Sequence, residues 1–192
     1  MKKLFLLLFL ASNLLCMGQN KKLVKEAKAI KFFGIDYSLA KVYGAAETPD
    51  QFKVAFNKIN RLFIVEAKKY DVGKRIKKEI SEISLDAVDQ LNPQIKSDEL
   101  MTTNKQYALD EQQIKQAIQS LPIKNEEGIG MIFLAELLNK ADNMATYQTV
   151  FFNMESKEII DIRPVSGKAR GFGLRNFWAY SIYKALDMLK DR

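Results

Sequence analysis

The sequence predicts a mixed α/β domain of the α+β kind, a layered sandwich of a mixed, partly antiparallel sheet with about four helices. Three observations lead to this prediction. Apolar residues recur at three- and four-residue steps in segments 48–71 and 173–189. A run of strand-like segments fills residues 128–165, and one alternating segment precedes the helices. Helices separated from a hairpin in this way indicate layers in which at least the last hairpin is antiparallel.

The first strand is predicted within IKFFGIDYSLAKVYG, residues 30–44. Alternation along a strand sends successive side chains to opposite faces. The predicted apolar face holds Phe33, Ile35, Tyr37 and Leu39, and the other face holds Gly34, Asp36 and Ser38.

The next segment predicts a helix that begins at Thr48 as N-cap, with Pro49 in the first helical position. Its apolar stripe consists of Phe52, Phe56, Ile59 and Phe63. A second helical piece is predicted to continue through Ile76, Ile80 and Ile83. Residues 83–106 are ambiguous, and we interpret them as a short strand at 85–88 followed by a polar loop.

A third helix is predicted after Asp110, because Asp110 and Gln113 can form a capping box, and Pro122 ends it. Three strands follow, in residues 128–141, 145–154 and 158–165, and the turn NMESKE joins the last two as a hairpin. The first of them is apolar on both faces, which is typical of a central strand. Glu136 is the polar exception, and we expect it at the exposed end of that strand.

The last helix is predicted to begin after Gly173 and to be amphipathic. Its apolar face consists of Leu174, Phe177, Trp178, Ile182, Ala185, Leu186 and Leu189. This pattern predicts a helix that lies on the sheet with Trp178 in the core.

The first eighteen residues are built like a secretory signal peptide, with Lys2 and Lys3 before an apolar run and Gly18 at the end. We therefore predict a signal peptide at 1–18 and one α/β domain at 19–192. The protein would be exported, periplasmic or associated with the outer membrane, with no transmembrane span in the mature chain. A lipid anchor at Cys16 is disfavoured, because two leucines precede that cysteine.

The amino-acid composition excludes several classes of metal site and catalytic site. The chain has no histidine and a single cysteine, which excludes imidazole metal sites and triads that depend on histidine. No metal, cofactor or catalytic residue is predicted. The net charge of +7 comes from lysine and arginine spread along the chain, as on a solvated surface. Export argues against nucleic acid as the partner and favours another envelope protein or an anionic ligand.

The stretch SGKARGFGLRNFW, residues 166–178, places glycines and cations before the last helix. Neither the Walker spacing nor the dinucleotide spacing is present, so the main interpretation is a strand-to-helix corner. Gly171 and Gly173 would adopt positive φ there and let the helix approach the sheet. The alternative is an anion site at the helix start. Its candidate ligand-binding residues are Lys168, Arg170, Gly171, Gly173, Arg175 and Asp36.

Residues 146–189 contain a strand, the tight turn MESKE, a second strand, a link with glycines and a closing amphipathic helix. This tail resembles the end of α/β domains in bacterial envelope proteins of the TolB N-terminal and curli secretion lipoprotein type. The chain departs from them in its turn, which has no glycine, and in the missing lipobox. The resemblance implies an accessory or scaffold role in the envelope and adds no catalytic residue.

Three functional hypotheses therefore stand. The first is a non-catalytic exported accessory or interaction protein of the envelope. The second is a small anionic-ligand binding protein that uses the loop before the last helix. The third is a carboxylate-dependent hydrolase, for which Asp36, Glu136 and Asp161 are the strand-borne acids that could share general acid and base roles.

Overall fold

The computed structural model of the protein describes residues 23–190. The predicted signal peptide and Cys16 lie outside these residues. Seven strands are present: β1 Ala29–Asp36, β2 Lys41–Tyr43, β3 Glu79–Ile83, β4 Met101–Thr102, β5 Ile129–Asn139, β6 Met144–Asn153 and β7 Ile159–Lys168. Seven α-helices lie between residues 49 and 187: α1 Pro49–Asn60, α2 Leu62–Val65, α3 Val72–Ile76, α4 Asp86–Leu91, α5 Ser97–Leu100, α6 Glu111–Ser120 and α7 Leu174–Asp187.

The sheet is organised around β5. Strand β6 pairs along one edge of β5, and β7 follows on the far side of β6. Strands β1 and β2 share the other edge, β1 beside residues 130–134 and β2 beside residues 137–139. Strand β3 extends the sheet from β1, and β4 extends it from β2.

The predicted fold class is wrong in two respects. Instead of about four helices, seven α-helices lie between residues 49 and 187, because four of them span only four to six residues, too short for a periodic signal. Most strand pairs are also parallel: four pairs are parallel, and the β5–β6 and β6–β7 pairs are antiparallel. The short strands β2, β3 and β4 create most of the parallel pairs. The sequence predicted β3 as part of a helix and β4 as part of a loop, and it did not separate β2 from the first strand.

Two cores lie on opposite faces of the sheet. Along β5, Met131 and Phe133 belong to the first core, and Ile132 and Leu134 belong to the second. Helices α1 and α7 cover the first core, and α4 and α6 cover the second. The sheet therefore lies between two helical layers.

Strand β1 changes face at Gly34. Phe33 packs in the second core, whereas Ile35 and Tyr37 pack in the first, so the prediction that the three share one face is wrong. The strand register shifts at this point, and Gly34 has a φ of 80°. A Cβ on Gly34 would lie 2.8 Å from Asn60 Oδ1, which accepts a hydrogen bond from Ile35 N. A bulge at a glycine is therefore what turns the strand over.

The predicted helix at Thr48 is confirmed, with a capping box between Thr48 and Gln51, and it breaks at Arg61 before the short α2. The second helical piece is wrong beyond Ile76. Lys77 adopts a left-handed conformation that ends α3, and the following residues form β3 against β1. The strand predicted at 85–88 is also wrong, because helix α4 occupies this segment.

The second half follows the sequence pattern more closely. The capping box between Asp110 and Gln113 opens α6 as predicted. Strands β5, β6 and β7 occur where the sequence predicted them, with β5 central and an antiparallel hairpin after β6. Helix α7 lies on the first core with Trp178 fully buried.

Candidate binding surface

The chain leaves β7 and enters α7 through the turn at residues 169–173. Gly171 and Gly173 have φ values of 129° and 77°, so the predicted corner at these glycines is confirmed. The close approach of helix and sheet occurs at a different glycine. A Cβ on Gly167 would overlap the carbonyl oxygen of Ser181 in α7, so only glycine fits at this point of β7.

Phe172 projects from this turn. Its side chain is 96% exposed, more than any other large hydrophobic side chain within residues 23–190. On one side it borders a groove of about 650 Å³ between α1 and the start of α7. Val54, which is 55% exposed, lies on the α1 side of the groove. Two exposed apolar side chains therefore lie at one groove, whose lining also holds two cations and two acids: Lys58, Arg175, Glu47 and Asp50.

On the other side of the turn lies a basic pocket of about 490 Å³, lined by Lys168, Arg170, Tyr180 and Lys184 among others. The guanidinium of Arg170 is 5.1 Å from the ring centre of Tyr180, and the Lys184 ammonium is 5.6 Å from it. These distances are those of cation–π contacts, which hold both cations over the ring. The structure thus joins two predicted residues, Lys168 and Arg170, to two that the sequence did not point to.

The charge of this pocket is positive despite two acids nearby. Asp142 lines the pocket, and its Oδ2 accepts a hydrogen bond from Asn139 Nδ2 at 2.8 Å. Asp187 lies 3.8 Å from Lys184, but it also pairs with Arg75 and Lys190 at 3.0 Å. Because several cations share one carboxylate, Lys184 keeps most of its positive field.

Arg175 is not part of the basic pocket. Its guanidinium donates to Glu66 Oε1 at 3.1 Å and to Asn176 Oδ1 at 2.7 Å, so its charge is largely paired. It lines the groove and also a smaller pocket of about 260 Å³ that includes Arg170 and Lys69. Arg170 therefore lines both the basic pocket and this smaller pocket, which also holds Glu66.

Asp36 lies away from these cations. It ends β1 on the face of the second core, where it pairs in register with Leu134 and is 3% exposed. Its Oδ1 accepts a hydrogen bond from Ser38 N at 2.7 Å, and burial raises the pKa of this carboxyl above its usual value. The structure does not bring Asp36 to the predicted anion site.

The three strand-borne acids do not all meet: Asp36 and Glu136 lie on the second-core face of the sheet, and Asp161 lies on the other face. Glu136 accepts hydrogen bonds from Leu109 N at 2.7 Å and Gln148 Nε2 at 3.1 Å on the second-core face. Asp161 pairs in register with Phe151 of the first core, so it lies on the opposite face of the sheet. Its Oδ2 accepts a hydrogen bond from Arg163 Nε at 2.7 Å.

The prediction that Glu136 lies at an exposed strand end is wrong. Its residue is 6% exposed, and β5 continues beyond it to Asn139. The segment before α6 covers this part of the sheet, and the Leu109 amide supplies the hydrogen bond that a buried carboxylate requires. Glu136 thus anchors that segment to the sheet.

Comparison of the chain with protein-family models, with curated proteins and with solved structures found no match. The resemblance of residues 146–189 to envelope domains therefore stays a prediction. Within residues 23–190 no three histidine, cysteine or carboxylate side chains cluster as metal ligands. In the same range no helix combines the length and the apolar character that a membrane crossing requires.

Sequence reasoning missed Phe172, Tyr180 and Lys184. A signal was available for Phe172, because a large apolar residue between two glycines has little chance of packing in a core. Tyr180 and Lys184 lie four residues apart, which puts them on one face of a helix. Only the packing of α7 on β6 and β7 places that face beside Lys168 and Arg170.

Proposed function

We propose that this protein is an exported, non-catalytic interaction protein of the bacterial cell envelope. It binds an acidic protein partner through the surface around the turn at residues 169–173. The signal-like sequence at 1–18 and the resemblance of residues 146–189 support the envelope setting. The exposure of Phe172 is the observation that carries the binding role.

An aromatic side chain in water forgoes a favourable burial of about 1.5–3 kcal/mol. Phe172 is held in that position by glycines on both sides, each with positive φ. Large aromatic residues dominate the binding energy of many interfaces when they enter a pocket of the partner. We infer that Phe172 is such an anchor and that Val54, across the groove, extends the contact.

The charged residues around Phe172 determine which kind of partner protein can bind there. Lys168, Arg170 and Lys184 lie on one side of the turn. The groove on the other side holds Lys58 together with Glu47 and Asp50, so the excess of positive charge lies on the side of the basic pocket. Complementary charge accelerates association and suppresses partners of like charge. An acidic surface with an apolar pocket fits this arrangement, and its binding weakens as salt rises.

The test begins in the native host with a photo-crosslinking phenylalanine analogue in place of Phe172. A matched site is Gln112, an exposed residue of α6 on the opposite side of the sheet. We expect one discrete protein adduct at position 172 that is missing at position 112. The adduct partner is then purified for binding measurements.

With the purified partner, we expect Phe172→Ser to weaken binding at least about tenfold. Replacement of Lys168, Arg170 and Lys184 by glutamine should also weaken it and should flatten the salt dependence. The control is glutamine at Lys105, Lys115 and Lys124, which are exposed and remove the same charge elsewhere. The proposal is wrong if positions 172 and 112 give the same adducts, or if both triple variants behave alike.

The basic pocket favours a second candidate function, the binding of a small anionic ligand. Three cations line it with Tyr180, and its volume of about 490 Å³ suits a small molecule. Inorganic phosphate and succinate are suitable probes, followed by NMR shifts of the amides at residues 166–170. We expect saturable shifts that vanish in the Lys168, Arg170 and Lys184 glutamine variant and persist in the Lys105, Lys115 and Lys124 variant.

A further inference from the structure

A second pocket, independent of the proposed function, lies on the first-core face near the start of β1. Its volume is about 480 Å³. It is lined by Val24, Lys25, Ile30, Ile76, Lys77, Lys78, Phe151 and Arg163. Pockets of roughly 300–1,000 Å³ hold most small ligands, so this one has a suitable size.

The inner wall of the pocket is apolar. Val24, Ile30 and Phe151 are buried members of the first core, and Ile76 packs against them. The guanidinium of Arg163 lies 4.7 Å from the ring centre of Phe151, so the cation covers the aromatic part of the wall. A hydrocarbon group in this pocket would contact core side chains and leave water.

The rim of the pocket is cationic, and none of its eight lining residues is acidic. Arg163 Nε donates a hydrogen bond to Asp161, which lies two residues earlier in β7. This bond leaves the two terminal guanidinium nitrogens of Arg163 for other acceptors. Lys78 Nζ donates to the carbonyl oxygen of Ala27 at 2.8 Å and to that of Lys25. Lys78 therefore fixes the segment that forms one wall, while the Lys25 and Lys77 side chains are exposed.

The backbone conformation at Lys77 places a cation at this rim. Lys77 ends α3 with a φ of 56°, a conformation in which glycine or asparagine is usual. A lysine at this position is conformationally unfavourable, and its presence places a cation at the mouth of the pocket.

We propose that this pocket binds an amphiphilic anion, a carboxylate with a flexible hydrocarbon chain. The chain lies against Val24, Ile30 and Ile76. The carboxylate accepts hydrogen bonds from Arg163 and from the two exposed lysines at the rim, Lys25 and Lys77. Each methylene group that enters the apolar wall should raise affinity about threefold to fourfold.

Titration calorimetry on the purified protein tests the proposal with decanoate below its micelle concentration. Hexanoate has a shorter chain, and 1-decanol lacks the charge. We expect saturable binding of decanoate and binding at least about tenfold weaker for each comparator. Absence of decanoate binding, or equal affinity for 1-decanol, would overturn the proposal.

Two double variants test whether decanoate binds at this pocket. Lys77→Gly removes the cation and suits the positive φ, so the protein should keep its fold. Combined with Lys25→Gln, it should weaken decanoate binding at least about tenfold. The control combines Lys68→Gln and Lys74→Gln, two exposed lysines that do not line this pocket. Equal decanoate affinity in the two double variants would contradict this site, whatever the result for the surface at Phe172.

Discussion

Asp36 shows how one buried residue couples this fold to pH. Its carboxyl is 3% exposed at the end of β1, and burial raises its pKa above the usual value because the charged form loses water. At pH values between the pKa of Asp36 in the unfolded chain and its higher pKa in the folded protein, the folded protein binds more protons than the unfolded chain. Stability therefore falls as pH rises through that window, and the loss persists above it.

At the scale of the same residue, we expect that the stability of the Asp36→Asn variant does not fall in this way as pH rises, because an amide does not ionise. The amide oxygen can still accept the hydrogen bond from Ser38 N. Urea unfolding at about pH 4, 6 and 8 should show the variant gaining stability relative to the natural protein as pH rises. Glu155→Gln, at an exposed position of the β6–β7 turn, is the control and should show no such gain. A parallel pH dependence in both variants would refute the role of Asp36.

At the scale of elements, the contact between β7 and α7 depends on Gly167. Helix α7 approaches so closely that a Cβ at position 167 would overlap the carbonyl oxygen of Ser181. The same helix contributes Tyr180 and Lys184 to the basic pocket. The positions of Tyr180 and Lys184 therefore depend on the packing of α7 against Gly167.

Gly167→Ala should force α7 away from the sheet and destabilise the protein by at least about 2 kcal/mol, the cost of overpacking against backbone. Lys168→Ala, one residue later in β7 with an exposed side chain, should change stability by less than about 0.5 kcal/mol. The free energies of unfolding come from urea titrations followed by circular dichroism. Equal stabilities of the two variants would show that the helix tolerates a methyl group at position 167.

At the scale of the whole molecule, both cores share the central strands, so we expect one cooperative unit. The first core includes residues from Val24 to Leu189, and the second includes residues from Phe33 to Met154. Trp178, the single tryptophan of the chain, is fully buried in the first core. Its fluorescence thus reports on that core alone, whereas circular dichroism reports on all helices and strands.

Urea unfolding curves from Trp178 fluorescence and from far-ultraviolet circular dichroism should coincide in midpoint and slope. Coincidence would support the prediction that residues 19–192 form one domain. An earlier fluorescence transition would instead mean that α7 and the first core unfold separately from the second core.

The outcome of the sequence predictions differed between local and distant features. The sequence by itself determined the capping boxes at Thr48 and Asp110, the strands β5 to β7 and the amphipathic helix α7. Each of these depends on hydrogen bonds or periodicities within a few residues, which the chain carries locally. The corner at Gly171 and Gly173 belongs with them, because backbone conformation there is a local property.

Only the tertiary structure decided which partners the remaining residues have. Ile80 and Ile83 have helical spacing, but pairing with β1 makes their segment a strand. Glu136 is buried because a segment 27 residues earlier in the chain covers it. Lys168 and Arg170 form a pocket only where α7 supplies Tyr180 and Lys184 beside them. These features depend on contacts between residues far apart in the chain, and local pattern carries no information about which distant segments meet.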